Sequence, residues 1–229
     1  MKLSTLLISS ALLGLSSMAS AQTTADQQKA MTPDGVLAYL MAGNKRFAEN
    51  KLTPKNVPER IAQTSKGQFP KAVILSCLDS RVPVEKVFDQ GIGDIFVGRV
   101  AGNVENVDQL GSMEFATKLA GSKVVMVLGH TACGAVKGAC DGAKMGNLTA
   151  LLSKIEPAVK AVDGYKPEER NSKNIEFVNK VVNQNVHQTV ADIRKRSEIL
   201  AQLEKEGKIK IVGGVYDLKT GKVTLLDTK

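Results

Sequence analysis

The sequence predicts an α/β domain in which helices flank a mainly parallel central β-sheet of four to five strands. Short apolar runs alternate along the chain with longer segments of helical periodicity, the order expected of parallel strands joined by helices. The run at 123–129 is almost entirely apolar, as a strand covered on both faces requires. Cys77 follows the first such run and His130 the third. Ligands in these sheets bind beyond the carboxyl ends of the strands, so the sequence predicts a site there.

Local patterns place the individual elements. The predicted strands are 71–76, 94–100, 123–129, 208–216 and 222–226, with the last two forming a hairpin around the turn at 217–221. Apolar residues at helical spacing predict helices at 33–50, 59–65, 83–89, 106–120, 132–140, 148–162 and 175–203. Pro157 should kink or divide one of these helices, and Gly121 occupies a C-cap position.

The N-terminus has the pattern of a secretory signal peptide. Lys2 supplies a positive charge, residues 6–15 are mainly apolar, and Ala19-Ser20-Ala21 fits a cleavage site. The apolar run is shorter than the roughly 20 residues of a membrane-spanning helix. We therefore expect 1–21 to be a signal peptide, 22–32 a mobile segment and 33–229 a single catalytic domain. The expected location is a bacterial periplasm, with no membrane association after cleavage.

The composition argues against a nucleic-acid partner. The chain has 229 residues and a net charge of +8, but its basic residues are interleaved with acidic ones. Aromatic residues make up only 4% of the chain, so base-stacking platforms are not expected.

Three cysteines in an exported protein would usually indicate a disulfide and one spare thiol. Two thiolates bound to a metal are the alternative. The alternative is favoured because one of only two histidines, His130, lies three residues before Cys133. Cys140 lies about 10 Å from Cys133 on a helix, too far for a disulfide, and is interpreted as a buried apolar residue. His187 is interpreted as a surface or packing residue.

We therefore predict one Zn²⁺ bound by Cys77, His130 and Cys133. Three protein ligands leave the fourth position open, which is typical of catalytic rather than structural zinc. Water in that position would become hydroxide near neutral pH and act as the nucleophile. A bidentate pair with Arg81 would keep Asp79 ionised and able to orient that hydroxide. Asp79 could instead bind zinc directly and close the site.

Four ordered motifs resemble those of the β-class carbonic anhydrases. They are Gly43-Asn44-Lys45-Arg46-Phe47, Cys77-Leu78-Asp79-Ser80-Arg81, Arg99-Val100-Ala101-Gly102-Asn103 and Gly129-His130-Thr131-Ala132-Cys133-Gly134. The resemblance covers roughly residues 36–216. It implies an enzyme for the reversible hydration of carbon dioxide to bicarbonate and a proton, with one zinc per subunit. Together with the N-terminal signal pattern, the expected protein is a bacterial, exported member of this class.

The resemblance also implies a substrate cleft and an oligomer. The residues that match the cleft are Gln68, Phe96, Ala101, Phe115 and Gly134. Ala101 stands where valine is usual, and Phe115 stands where tyrosine is usual and lacks the hydroxyl for a proton relay. The chain has no tryptophan, so a bicarbonate site that includes one in some relatives is not carried over intact. N-terminal helices are expected to pack on a partner subunit in a homodimer or homotetramer.

Two other functions remain open from the sequence. Hydrolysis of carbon disulfide or carbonyl sulfide would use the same fold with a different access tunnel. A non-catalytic zinc or thiol-redox protein would switch Cys77 and Cys133 between metal-bound and disulfide states. Asp79 and Arg81 argue against the second alternative, since a structural or redox site does not need them.

Overall fold

The structure is a computed structural model that describes residues 22–228. The predicted signal peptide at 1–21 lies outside these residues. Five strands form one sheet in the order β2-β1-β3-β4-β5. The strands are β1 Ala72–Ser76, β2 Ile95–Arg99, β3 Val124–His130, β4 Lys210–Tyr216 and β5 Val223–Leu226. The first four are parallel and β5 pairs antiparallel with β4, which confirms the predicted fold class and the C-terminal hairpin.

Ten α-helices of the described chain surround this sheet. They are α1 Ala25–Ala30, α2 Pro33–Ala48, α3 Val57–Thr64, α4 Val84–Val87, α5 Val107–Glu114, α6 Gly134–Cys140, α7 Gly146–Ser153, α8 Glu156–Ala161, α9 Ile175–Arg196 and α10 Glu198–Lys205. A π-helical turn, Phe115–Leu119, extends α5. Within residues 22–228 no helix is long and apolar enough to cross a membrane.

The central strands are buried because helices cover both faces of the sheet. Every residue of β1 and β3 is buried. Val73 and Leu75 face a core that includes α9, whereas Ala72 and Ile74 face the core built around α2 and α4. Side chains alternate between the two faces of a strand, so a strand with two covered faces needs a continuous apolar run. The structure therefore has helices on both faces of the sheet, as the apolar runs predicted.

The prediction of one helix at 175–203 is wrong, because Ser197 separates α9 from α10. Ser197 has an extended backbone conformation, with φ −116° and ψ 100°. Its Oγ accepts a hydrogen bond from the backbone N–H of Leu200, and it donates one to Glu114. A serine N-cap satisfies the otherwise unpaired amides at the start of a helix, so it favours a new start here. Because the hydrophobic stripe continues across the break, the sequence pattern does not reveal where α9 ends.

The polar segment 22–32 contains α1, a helix that the sequence did not predict. Thr24 caps this helix in a reciprocal arrangement with Gln27. Buried Gln28 donates hydrogen bonds from Nε2 to the carbonyl oxygens of Pro70 and Ala120, at 2.7 and 2.8 Å. These contacts attach α1 to the two segments that lead into β1 and β3. A hydrophobicity pattern does not reveal such an anchor, because the buried side chain is polar.

The other predicted irregularities are present. The segment 148–162 is divided into α7 and α8, with Pro157 in the first turn of α8, where its missing N–H costs nothing. Gly121 follows the π-helical turn with φ +81°, a left-handed conformation that glycine adopts readily. It thus ends the α5 segment as the sequence predicts.

Candidate metal centre

Cys77, His130 and Cys133 come together at the carboxyl ends of β1 and β3. One donor atom from each residue lies within 4.8 Å of the other two, and all three residues are buried. The two sulfur atoms are 3.8 Å apart. Cys77 directly follows β1, His130 is the last residue of β3, and Cys133 precedes α6. Because β1 and β3 are parallel neighbours, their carboxyl ends meet at one edge, as the sequence predicted.

Backbone geometry lets His130 and Cys133 face the same space. Ala132, between them, has φ +54°, an unusual conformation for a residue with a side chain. Its N–H donates a 2.9 Å hydrogen bond to Asn179 Oδ1 on α9. This bond helps to hold the chain in a tight turn between the end of β3 and α6. The turn therefore depends on a contact with a helix that begins more than forty residues later.

The histidine is oriented as a metal ligand would be. Its Nδ1 lies 3.0 Å from the carbonyl oxygen of Thr131, so Nδ1 carries the proton and Nε2 presents a lone pair. Nε2 is buried and has no hydrogen-bond partner. A buried, unpaired nitrogen facing two sulfur atoms is costly without a ligand and suits Zn²⁺, which prefers cysteine and histidine donors. The residues present therefore fit the metal that the sequence predicts.

The thiols at this site have strongly shifted pKa values. A hydrogen bond from Cys77, together with contact with His130, holds the pKa of the Cys133 thiol well below its usual range, against the opposing effect of burial. The same hydrogen bond raises the pKa of Cys77, as does burial. A backbone N–H from Gly102 lies 3.2 Å from Cys77 Sγ and stabilises negative charge on it. The site thus favours thiolate at Cys133, and thiolate is the form that binds metals.

Asp79 is held beside the three donor atoms by a bidentate pair with Arg81. Arg81 Nε donates to Oδ1 at 2.9 Å and Nη2 donates to Oδ2 at 2.7 Å. The Arg81 backbone N–H donates a third bond to Oδ1. These hydrogen bonds lower the pKa of Asp79 to about 2, although partial burial opposes the shift. Asp79 Oδ2 lies 3.5 Å from His130 Nε2, so the ionised carboxylate faces the space between the donors.

Comparison with known proteins gives the family. The carbonic anhydrase family model matches residues 72–223. The chain belongs to the β-class carbonic anhydrase family. It is 36% identical over 192 residues to a carbonic anhydrase of Mycolicibacterium smegmatis, covering 81% of this chain and 89% of that protein. It is 34% identical over 194 residues to carbonic anhydrase 2 of Mycobacterium tuberculosis, covering 82% and 90% respectively.

Solved β-carbonic anhydrases share the fold. CafA of Aspergillus fumigatus superposes with a TM-score of 0.65 at 22% identity, covering 86% of this chain and 91% of that one. One of two tetrameric β-carbonic anhydrases from Sordaria macrospora gives a TM-score of 0.64 at 22% identity, covering 83% and 96%. At this identity the likeness concerns the fold, which is the sheet-and-helix arrangement described above.

The residues matched to the substrate cleft of β-carbonic anhydrases occupy three different places. Phe96 and Phe115 are in edge-to-face contact, with ring centroids 6.2 Å apart, and Phe115 is about half exposed. Gly134 immediately follows Cys133, and Ala101 immediately precedes Gly102, whose N–H contacts Cys77 Sγ. Gln68 is exposed at the amino end of β1, whereas Cys77 follows its carboxyl end. A single subunit thus places Gln68 away from its own metal centre.

Three residues that support the metal centre were missed by sequence reasoning. Asn185 on α9 donates a 2.7 Å hydrogen bond to the carbonyl oxygen of Gly102, which in turn contacts Cys77. Arg99 donates to the carbonyl oxygen of Cys77, and Asn179 holds Ala132. Asn185 was detectable, because it is a buried polar residue within the apolar stripe of α9. Asn179 gave no comparable signal.

The remaining cysteine and histidine lie outside this group. Cys140 is free and partly buried, and burial raises its pKa to about 11. His187 is half-buried on α9. Among residues 22–228, Cys77, His130 and Cys133 are the one group of three with the spacing of metal ligands. Cys140 is thus less buried than the interpretation of it as a buried apolar residue expected.

Proposed function

We propose that this protein catalyses the reversible hydration of carbon dioxide to bicarbonate and a proton at a zinc ion held by Cys77, His130 and Cys133. The observation that carries the proposal is the ionised Asp79 beside three metal-binding donors. A structural zinc site gains nothing from a carboxylate that an arginine holds 3.5 Å from a ligand nitrogen. Membership of the β-carbonic anhydrase family supports the same activity.

The chemistry divides between the metal and the protein. Zinc supplies Lewis acidity, which makes water a usable nucleophile near neutral pH. Two thiolates and a neutral imidazole would cancel the charge of the ion, so this acidity needs support from neighbouring groups. Asp79 gives that support because its carboxylate remains ionised and can accept a hydrogen bond from the attacking oxygen. Arg81 fixes the direction of the acceptor, and the oxygen lone pair is thereby aimed at the carbon of the substrate.

Stopped-flow measurement of carbon dioxide hydration, with wild-type protein and Asp79→Ala, tests this mechanism. We expect Asp79→Ala to lower kcat by about 10²-fold or more, the usual contribution of a positioned acid–base group. Asp163→Ala, which removes an exposed loop carboxylate, is the control and should retain activity. Metal analysis should find one zinc per subunit in all three proteins. Unchanged turnover in Asp79→Ala would show that the carboxylate does not orient the nucleophile.

Substrate choice and redox state are tested with the same protein. Carbon disulfide and carbonyl sulfide are offered beside carbon dioxide, and faster turnover of either sulfur compound would overturn the proposed substrate.

Thiol titration under native conditions tests the redox alternative. We expect Cys77 and Cys133 to resist modification until zinc is chelated. A disulfide between them in zinc-free isolated protein would favour redox switching instead.

We further propose that residues 1–21 direct export to the periplasm and that the mature enzyme is a homodimer or homotetramer. The signal-like sequence supports the first statement. The family and the tetrameric Sordaria macrospora enzymes support the second. Mass spectrometry of the protein from fractionated cells should find an N-terminus at Gln22 in the periplasmic fraction. An uncleaved N-terminus in the cytosolic fraction would contradict the proposal.

A further inference from the structure

A second concave site lies at the other end of the sheet. It is a cavity of about 610 Å³, within the size range of small-molecule sites. Its wall is formed by α3 and the segment before it, by α4 and by the loop that leads into β2. Ile95, the first residue of β2, lines it, whereas Arg99, the last, contacts Cys77. Four residue steps along the strand separate the two ends by about 13 Å.

The cavity combines apolar walls with cationic side chains. Leu52, Val57 and Ile92 line it and are each partly exposed. Lys55 and Arg60 line it as well. Small-molecule sites typically have this make-up, in which apolar surface provides most of the contact and a few polar groups set the orientation.

Two buried carboxylates behind the cavity are each shared by two cations. Asp89 pairs with Arg46 and Lys55. Asp94 pairs with Arg60 and Lys71, at 2.8 and 2.7 Å. Four positive groups therefore meet two negative ones.

This leaves an excess of positive charge in a partly desolvated region. Charge interactions are stronger there than in bulk water. The lining residues Lys86 and Glu85 are both exposed and of opposite sign, so they do not remove the excess. An anion that enters the cavity would compensate it.

Arg60 also has an unused hydrogen-bond donor beside the cavity. Its side chain is only 4% exposed, and Nη2 donates to the carbonyl oxygen of Ile92. Nε is buried and has no partner. Gly91 covers this nitrogen, since a Cβ at that position would lie 3.4 Å from Nε. Because Gly91 has no side chain, the cavity wall is thin next to the unsatisfied N–H of Arg60 Nε.

We propose that this cavity binds a small organic anion, a carboxylate with an apolar body. The carboxylate would pair with Lys55 and Arg60, and the body would lie against Leu52, Val57 and Ile92. The excess charge and the unused Arg60 donor select an anion. The apolar walls select an organic one over inorganic ions.

Isothermal titration calorimetry with benzoate as the probe tests the site. The experiment compares variants that carry a negative or a positive charge at position 92. This residue is 46% exposed on the cavity wall, so charged replacements are compatible with folding. We expect Ile92→Glu to weaken benzoate binding about ten-fold relative to Ile92→Lys, because only the first repels the carboxylate. Ile199→Glu and Ile199→Lys on α10, where Ile199 is 43% exposed, form the control pair and should bind alike.

Gly91→Ala provides a second variant, and a crystal structure with benzoate locates the ligand. The added methyl group would lie 3.4 Å from both Arg60 Nε and Lys55 Cδ, so it should weaken binding by occupying space between these two side chains. Gly111→Ala, where a Cβ meets no atom within 4 Å, should bind as the wild type does. Benzoate found beside Arg60 would support the proposal. Absence of binding, equal affinities in the two Ile92 variants, benzoate only at the metal centre, or a second subunit filling the cavity would each overturn it.

Discussion

At the scale of single residues, the candidate metal centre combines three potential metal ligands with one carboxylate that Arg81 holds in a fixed orientation. Cys77 and His130 could be predicted as partners because strand-end positions converge in a parallel sheet. Asp79 and Arg81 could be paired because they lie two residues apart in a loop. Asn185 and Asn179 were out of reach, because they come from α9 and act through backbone groups. Contacts of this kind depend on how a distant helix packs, which periodicity does not specify.

Replacing Arg81 with lysine should reduce activity without loss of metal. Lysine keeps the positive charge but cannot form the two parallel hydrogen bonds that hold the Asp79 carboxylate. Asp79 would then sample other directions, including one toward the donor atoms. We expect kcat for carbon dioxide hydration to fall by about ten-fold or more, the range of effects for groups that orient a metal ligand. Zinc content should be unchanged, and full activity in Arg81→Lys would show that a single charge is enough.

Asp89 should make stability depend on pH in the acid range. Burial opposes ionisation, but hydrogen bonds from Lys55, Arg46 and Thr53 outweigh it and lower the pKa to about 2. The unfolded pKa is about 3.9, so the stabilisation is present in full above roughly pH 4 and is lost as pH falls toward 2. Asp89→Asn should cost roughly 2–3 kcal/mol at pH 7 and much less near pH 2.

Urea unfolding of wild type and Asp89→Asn at several pH values measures this difference. Comparing the two proteins at each pH cancels the common effect of acid on Cys77, His130 and Cys133. Glu85→Gln on the exposed side of α4 is the control and should stay within about 0.5 kcal/mol of wild type throughout. A deficit in Asp89→Asn that is constant from pH 7 to pH 2 would mean that the carboxylate charge has no stabilising role.

At the scale of elements, the sequence predicted most strands and helices but missed features that depend on polar side chains. The strands of the sheet could be predicted because short continuous apolar runs are typical of strands that are covered on both faces. The break between α9 and α10 was hidden because buried apolar residues continue across it. Val190 and Ile193 lie before the break and Leu200 lies after it. Helix α1 was missed because Gln28 is anchored by hydrogen bonds rather than by apolar contact.

Removing the Gln28 amide tests whether α1 is anchored. Gln28→Leu has a similar shape but leaves the carbonyl oxygens of Pro70 and Ala120 without a donor. A buried acceptor without a partner costs about 1–3 kcal/mol, so we expect a loss of that order in the free energy of unfolding. Lys29→Leu, which changes the exposed residue on the other side of Gln28, is the control and should cost less than half as much. If Gln28→Leu is as stable as wild type, the segment is as mobile as its composition suggested.

At the scale of the whole molecule, the sheet has two unlike edges. The β5 edge is a short antiparallel strand of four residues. The β2 edge is parallel, and all five of its residues are partly exposed. Phe96 of β2 contacts Phe115, which is 49% exposed, and Leu119 in the same turn is 77% exposed. An unpaired strand beside large exposed apolar side chains is a surface that proteins usually cover.

We therefore expect the β2 edge to be the interface of the homo-oligomer, with Leu119→Glu weakening it. Light scattering after size-exclusion chromatography should give a dimer or tetramer for the wild type and a larger monomer fraction for the variant. Leu225→Glu, a 37% exposed position on β5, is the matched control and should leave the mass unchanged.

We expect Gln68 to connect this assembly to catalysis. It lies at the amino end of β1, away from the metal centre of its own subunit, so a role in the cleft requires a partner subunit to supply it. Activity per zinc should consequently fall together with the oligomer in Leu119→Glu and recover at protein concentrations that restore it. A monomeric variant with full activity would show that each subunit contains a complete site and that Gln68 takes no part in it.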